Sequence, residues 1–265
     1  MVSVCFSNRL DAVLFQRAFS KSKTVLSVKE YDSHIQVGFY DGQDYDEITN
    51  AFMKVFRERK FLGWIEGVLT YTYHYNDEHE IRRIMEIAQE FERTPPVGVE
   101  IPSLFSSLHF YIKKFIKDYK DLDFDTLSVS VLKSVHSTLV DYTGYLLDEY
   151  KLEECHQLLV DNWRQRIHNR DTGVQVLHLK DDSGFRYYHD EGNELREAET
   201  SVYMKQYPDP SILELPLDWD ITPALVHAPE LLVIYSDRQG VAKLELLMSI
   251  FEEKAMWKRL SDFPF

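Results

Sequence analysis

The residues most able to do chemistry gather in a few short stretches. Tyr71-Thr72-Tyr73-His74-Tyr75-Asn76-Asp77-Glu78-His79-Glu80 sets two histidines among carboxylates, the residue types that bind divalent metals or move protons. His74 and His79 are five positions apart, and Asp77 followed by Glu80 reads as a capping box that starts a helix between them. That spacing departs from the i, i+4 pair of a helical metal site, and no third histidine follows at ligand spacing. The stretch reads as a polar helix junction with aromatic anchors. A metal site at His74 and His79 is the alternative.

Asp181-Asp182 and Asp190-Glu191 flank an expected hairpin. Carboxylates grouped at turns can hold Ca²⁺ or Mg²⁺, yet Asp and Gly are also what turns require for backbone reasons. Solvated turns are the expectation. Lys113, Lys117 and Lys120 form a stripe that could meet a phosphate or an acidic partner, or serve as the solvated face of an amphipathic helix. Cys155 falls at a core position of its helix and reads as a buried structural thiol. His189 and His227 have no visible triad context.

The chain shows no glycine-rich phosphate loop, no paired-cysteine zinc motif and no nucleophile-elbow serine. These absences lower the expectation of catalysis, and no cofactor is implied.

Three segments must position these groups. Val2 to Phe6, Asn8 to Ser20, Val25 to Val28 and Ile35 to Phe39 read as a β-α-β-β module over residues 1–42. Residues 43–170 carry helical spacing throughout and read as a bundle, broken at Thr94-Pro95-Pro96 and Gly98, with Ser103 expected to cap the next helix. Leu127 to Tyr142 reads as one helical stripe, with a continuation past Gly144 to Leu146 and Tyr150 as the alternative end, and Leu152 to Ile167 as the next helix. Residues 171–265 read as a C-terminal α/β unit. It comprises a three-stranded meander ending near Tyr203, a proline-rich loop at Pro208, Pro210 and Pro216, and a helix over Ile221 to His227. A buried strand at Leu231 to Tyr235 follows, then a helix over Val241 to Phe251 and a last strand at Ala255 to Leu260. The fold class is therefore α+β.

The totals narrow the partners. Of 265 residues, 44% are hydrophobic and 28% charged, the balance of a folded protein. The formal net charge of -14 disfavours a nucleic-acid footprint and electrostatic docking on an anionic membrane. No apolar run approaches the roughly 20 residues of a membrane span. No signal peptide is read at the start, and two cysteines without a framework suit a reducing, cytoplasmic compartment.

Three further stretches resemble the sporulation protein YtxC family of spore-forming Firmicutes. They are Phe61-Leu62-Gly63-Trp64-Ile65-Glu66-Gly67 through Phe91-Glu92; Leu146-Leu147-Asp148-Glu149-Tyr150-Lys151; and Ile221 through Tyr235, with Ile250-Phe251-Glu252-Glu253-Lys254 downstream. The resemblance implies a cytoplasmic protein of sporulating bacteria and carries no catalytic residues across. Three readings follow. The first is a non-enzymatic interaction protein with a protein partner. The second is a hydrolase or metal-dependent enzyme using the clusters at residues 74–80 and 181–190. The third is a regulator touching nucleic acid through the lysine stripe at residues 113–120.

Overall fold

The structure, a computed structural model, describes residues 2–18, 26–39, 45–96, 102–119, 121–169, 172–206 and 219–265. The chain forms two compact units, Met1–Leu152 and Glu153–Phe265. The boundaries expected at 42/43 and 170/171 both lie outside the described residues, as do Gly98 and the prolines at 208, 210 and 216.

The first unit begins with β1 (Val2–Phe6), α1 (Arg9–Ala18), β2 (Leu26–Glu30) and β3 (Ile35–Phe39), in the expected β-α-β-β order. β3 pairs antiparallel with both β1 and β2. A fourth strand, β4 (Asp121–Asp123), joins β1 in parallel and completes the order β2-β3-β1-β4. Three residues with two aspartates give no strand signal. β4 exists because β1 presents an open edge, where Ser3 Oγ donates to Asp121 Oδ1 at 2.6 Å.

Helices fill the rest of this unit: α2 (Tyr45–Val55), a π-helical turn (Phe56–Lys60), α3 (Phe61–Tyr71), α4 (Glu78–Arg93) and α5 (Leu104–Asp118). They share one hydrophobic core with the sheet. Its centre is aromatic: Phe15 lies 5.1 Å from Phe6 and 4.6 Å from Phe52, and Phe124 lies 5.0 Å from Phe6. Each such ring stabilises the unit by about 1.5–3 kcal/mol through burial. Ser103 precedes α5 without making a side-chain cap bond, so the capping expected of it is not realised.

α6 runs unbroken from Phe124 to Asn169, 46 residues, where two helices were expected. Gly144 does not interrupt it. Its buried residues fall in two separate sets. Val131, Leu139 and Leu146 enter the first core; Val160, Trp163 and Ile167 enter the second. Cys155 lies between these sets and is exposed, which corrects the expectation of a buried thiol.

The second unit continues with β5 (Val176–Asp181), β6 (Phe185–His189), α7 (Glu197–Gln206), α8 (Thr222–His227), β7 (Leu231–Tyr235), α9 (Ala242–Phe251) and β8 (Ala255–Lys258). The sheet order is β6-β5-β7-β8. β5, β7 and β8 are parallel, and β6 is an antiparallel edge strand. β7 is the central strand that five consecutive apolar or aromatic residues require, and Val233 is only 3% exposed. The expected third strand of the meander is a single bridge, Tyr188 to Glu194, after which the helix-forming run at Glu197 starts α7. Arg166, buried on α6, donates through Nε to Leu225 O at 3.0 Å and through Nη2 to Val226 O at 3.1 Å. It thereby satisfies carbonyls at the end of α8. No described helix is long and apolar enough to cross a membrane.

Candidate functional site

His74 and His79 are both exposed and stand on opposite sides of a helix start. His74 adopts a left-handed backbone, φ 59°, in the link from α3 to α4. Asp77 caps α4, accepting from His79 N at 2.7 Å and Glu80 N at 3.1 Å. Those two backbone bonds hold the Asp77 carboxyl below the usual range. The carboxylate between the histidines is thus occupied by a cap.

The lysine stripe lies along the seam between α5 and α2. Lys113 is ion-paired with Asp46, and Lys117 Nζ stands 6.0 Å over the Tyr45 ring. Lys120 lies outside the described residues. The two helices run antiparallel here, because Arg57 at the far end of the seam covers Phe105, its Cζ 4.2 Å from the ring centroid. Beside that contact opens a cavity of about 690 Å³. Met53 and Phe105 give it apolar wall; Lys54, Arg57 and Glu58 give it charge, and His109 an imidazole.

The π-helical turn explains which cations reach this cavity. Its wide turn, closed by Phe61 N donating to Phe56 O, sends Arg59 and Lys60 to the buried Asp11 at 3.0 and 3.6 Å. Arg57 and Lys54 are left on the cavity side. A smaller cleft of about 280 Å³ adjoins Arg57, Glu92 and Tyr142. Desolvation raises the Glu92 carboxyl, and burial pushes the Tyr142 hydroxyl up to about 12. None of Lys54, Arg57, His109 or Glu92 stands out in the sequence, because α2, the π-helical turn, α4 and α5 bring them near one another only in the fold.

In the second unit Asp181 ends β5 and is 2% exposed, so the expectation of a solvated turn fails there. Arg238 donates to it from Nε at 3.0 Å and also from Nη2, and Ser236 Oγ donates at 2.6 Å. Burial alone would raise its carboxyl, but these bonds outweigh burial and lower it. Asp182 does stay at the turn. It accepts from Ser183 N and pairs with Lys180 and Arg186, which holds it well below the carboxylate range. Asp190 and Glu191 are exposed, and Asp190 Oδ1 lies 3.5 Å from His178 Nε2. The parallel strands β5, β7 and β8 are laid down in chain order, with β6 added on the other side of β5, so Asp181 and Ser236 follow one another at the carboxyl ends of the adjacent strands β5 and β7.

His227 is 5% exposed, with Thr200 Oγ1 3.2 Å from its Nε2 and the Tyr203 ring 4.9 Å away. Burial, reinforced by His189, lowers its pKa to about 4. A hydroxyl beside a neutral imidazole could serve nucleophilic chemistry, but both residues are buried at the join of α7 and α8. Among the described residues one trio has metal-ligand geometry, His168, Glu252 and Glu253, all exposed. Arg164 Nε already holds Glu252 at 3.3 Å.

The arrangement defines an α+β protein with two four-stranded mixed sheets, each backed by helices. Residues 46–256 match the family model described as the YtxC-like family, and the chain belongs to that family. It is 23% identical over 230 residues to the "Uncharacterized protein YtxC" of Bacillus subtilis (strain 168), covering 82% of this chain and 76% of that protein. No solved structure matches.

Proposed function

We propose that this chain is a non-enzymatic interaction protein of sporulating cells, working in the cytoplasm through a protein partner. The observation behind this reading is that three carboxylates of the clusters singled out in the sequence already hold structural pairs. Asp77 caps α4, Asp181 holds Arg238 and Ser236, and Asp182 holds Lys180 and Arg186. A catalytic carboxylate needs a free lone pair facing its substrate. Aromatic side chains left in solvent supply contact surface instead: Tyr71 is 82% exposed and Phe110 63%. The sporulation setting rests on the family likeness.

Co-purification of the tagged chain from sporulating cells, with cross-links mapped by mass spectrometry, tests this. One partner cross-linked to the wild-type chain and lost from Tyr71→Asp or Phe110→Asp, with both variants folded, is the expected result. Turnover of a substrate by the purified chain, abolished by Asp182→Asn, would contradict it.

A further inference from the structure

The cavity between α2 and α5 differs in charge from the chain that contains it. The protein carries 44 acidic and 30 basic residues, and most cations near the cavity are engaged. Lys113 holds Asp46, and Arg59 and Lys60 hold Asp11. Lys54 and Arg57, by contrast, have no carboxylate within ion-pair distance among the described residues, and both face the cavity. His109 lies two turns along α5 from Lys117, in the same row as Lys113, and adds a third basic group. One carboxylate, Glu58, stands among them.

Size and wall chemistry point to a small molecule. About 690 Å³ lies within the range of ligand pockets, about 300–1,000 Å³. Met53 is nearly buried, and Phe105 has one contact already made by Arg57, so the floor is apolar and stiffened. Two permanent cations and an imidazole, presented from two helices, suit separated acceptor oxygens better than one planar carboxylate. Lys54 and Arg57 together outnumber the one carboxylate, Glu58, so the net field at the cavity favours an anion.

We infer that this cavity binds a phosphorylated small molecule, its phosphoryl group held by Lys54, Arg57 and His109 and its apolar part lying on Met53 and Phe105. The inference is independent of the protein partner proposed above. The guanidinium supplies a fork of donors for two phosphoryl oxygens, and the Lys54 ammonium a point charge for the third. Arg57 keeps its place because its Cζ rests over the Phe105 ring, 4.2 Å from the centroid. No covalent step is involved.

Phenyl phosphate is the minimal probe, carrying both the phosphoryl group and a ring. Calorimetric titration into the full chain at low salt should show binding, tighter than for inorganic phosphate and weakened as salt is added. Arg57→Met and Lys54→Met should each weaken it by about tenfold or more. Arg82→Met, an exposed arginine on α4 outside the cavity, should leave it unchanged. Lys54→Met keeps the Arg57–Phe105 contact and so reports even if Arg57→Met fails to fold. No binding up to about 10 mM, binding indifferent to Lys54→Met, or inorganic phosphate binding as tightly as phenyl phosphate would each overturn the assignment.

Discussion

Arg238 closes on the buried carboxylate of Asp181 with two arms of its guanidinium, across 57 positions of sequence. The Asp181 side chain is fully buried, while that of Arg238 is 56% exposed. The two partners therefore differ in what their removal leaves behind. Arg238→Met strands an unpaired charge in the interior, whereas Asp181→Asn releases an arginine that water can solvate. Urea unfolding should rank Arg238→Met as the more destabilising. Asp181→Ala should cost about 1–3 kcal/mol through the bonds it leaves unmade. Equal stability of wild type and Arg238→Met would show that the pair holds nothing.

The same pair fixes a pH dependence. The folded Asp181 pKa lies below its unfolded value of about 3.9, so its contribution is fully present above that value. It is lost as pH falls through the folded pKa. Asp181→Asn should flatten the acid limb of the stability curve below about pH 4, read by urea midpoints at successive pH values.

His227 works in a higher window. Its folded pKa of about 4 lies below the ordinary 6.5, because burial disfavours the imidazolium and His189 adds to that, against Glu199. Between these values the unfolded chain takes up a proton that the folded one refuses. Stability should fall as pH drops from 6.5 towards 4, by at most on the order of 3 kcal/mol. His227→Gln should remove that slope. An unchanged slope would place the titration on another group.

Gly192 has φ 85°, and an added Cβ would sit 2.7 Å from the Phe265 ring. The exposed ring can move, but the left-handed backbone cannot relax without breaking the β6 turn. Gly192→Ala should cost about 1–2 kcal/mol in thermal unfolding. Adding Phe265→Ala should recover only the contact part. Full recovery would show that crowding, not backbone conformation, sets the cost.

The two thiols should separate in a native titration with a disulfide reagent. Cys155 is exposed on α6 and should react at once. Cys5 is half-buried, and burial together with Asp123 and Asp121 pushes its thiol up, so it should react slowly until the chain is unfolded. Equal fast rates would contradict the placement of Cys5 on β1.

What the residues disclosed in advance was local and periodic. Leu231 to Tyr235 reads as a central strand because no residue in it tolerates water, and α9 then returns the chain to a parallel β8. Asp77 reads as a cap because its bonds fall within three residues. The misses come from partners far away in sequence. Asp181 looks like a turn residue unless Arg238 is known to reach it. β4 is a strand only because β1 offers it an edge. α6 looks like two helices because its buried stripe lapses between Tyr150 and Val160, where it enters neither core. The cavity at Lys54, Arg57 and His109 left no sequence signal, since the π-helical turn that sorts its cations from those of Asp11 has none.

The central claim, that the chain acts by binding rather than catalysis, is tested most directly by spore yield. In a spore-forming host lacking its own family member, the chain carrying His74→Ala, His79→Ala and Asp182→Asn together should restore spore formation as well as the wild-type chain does. Tyr71→Asp with Phe110→Asp should not, although folded. Failure of the first variant with restoration by the second would contradict the account and return the His/carboxylate clusters to consideration as a working centre.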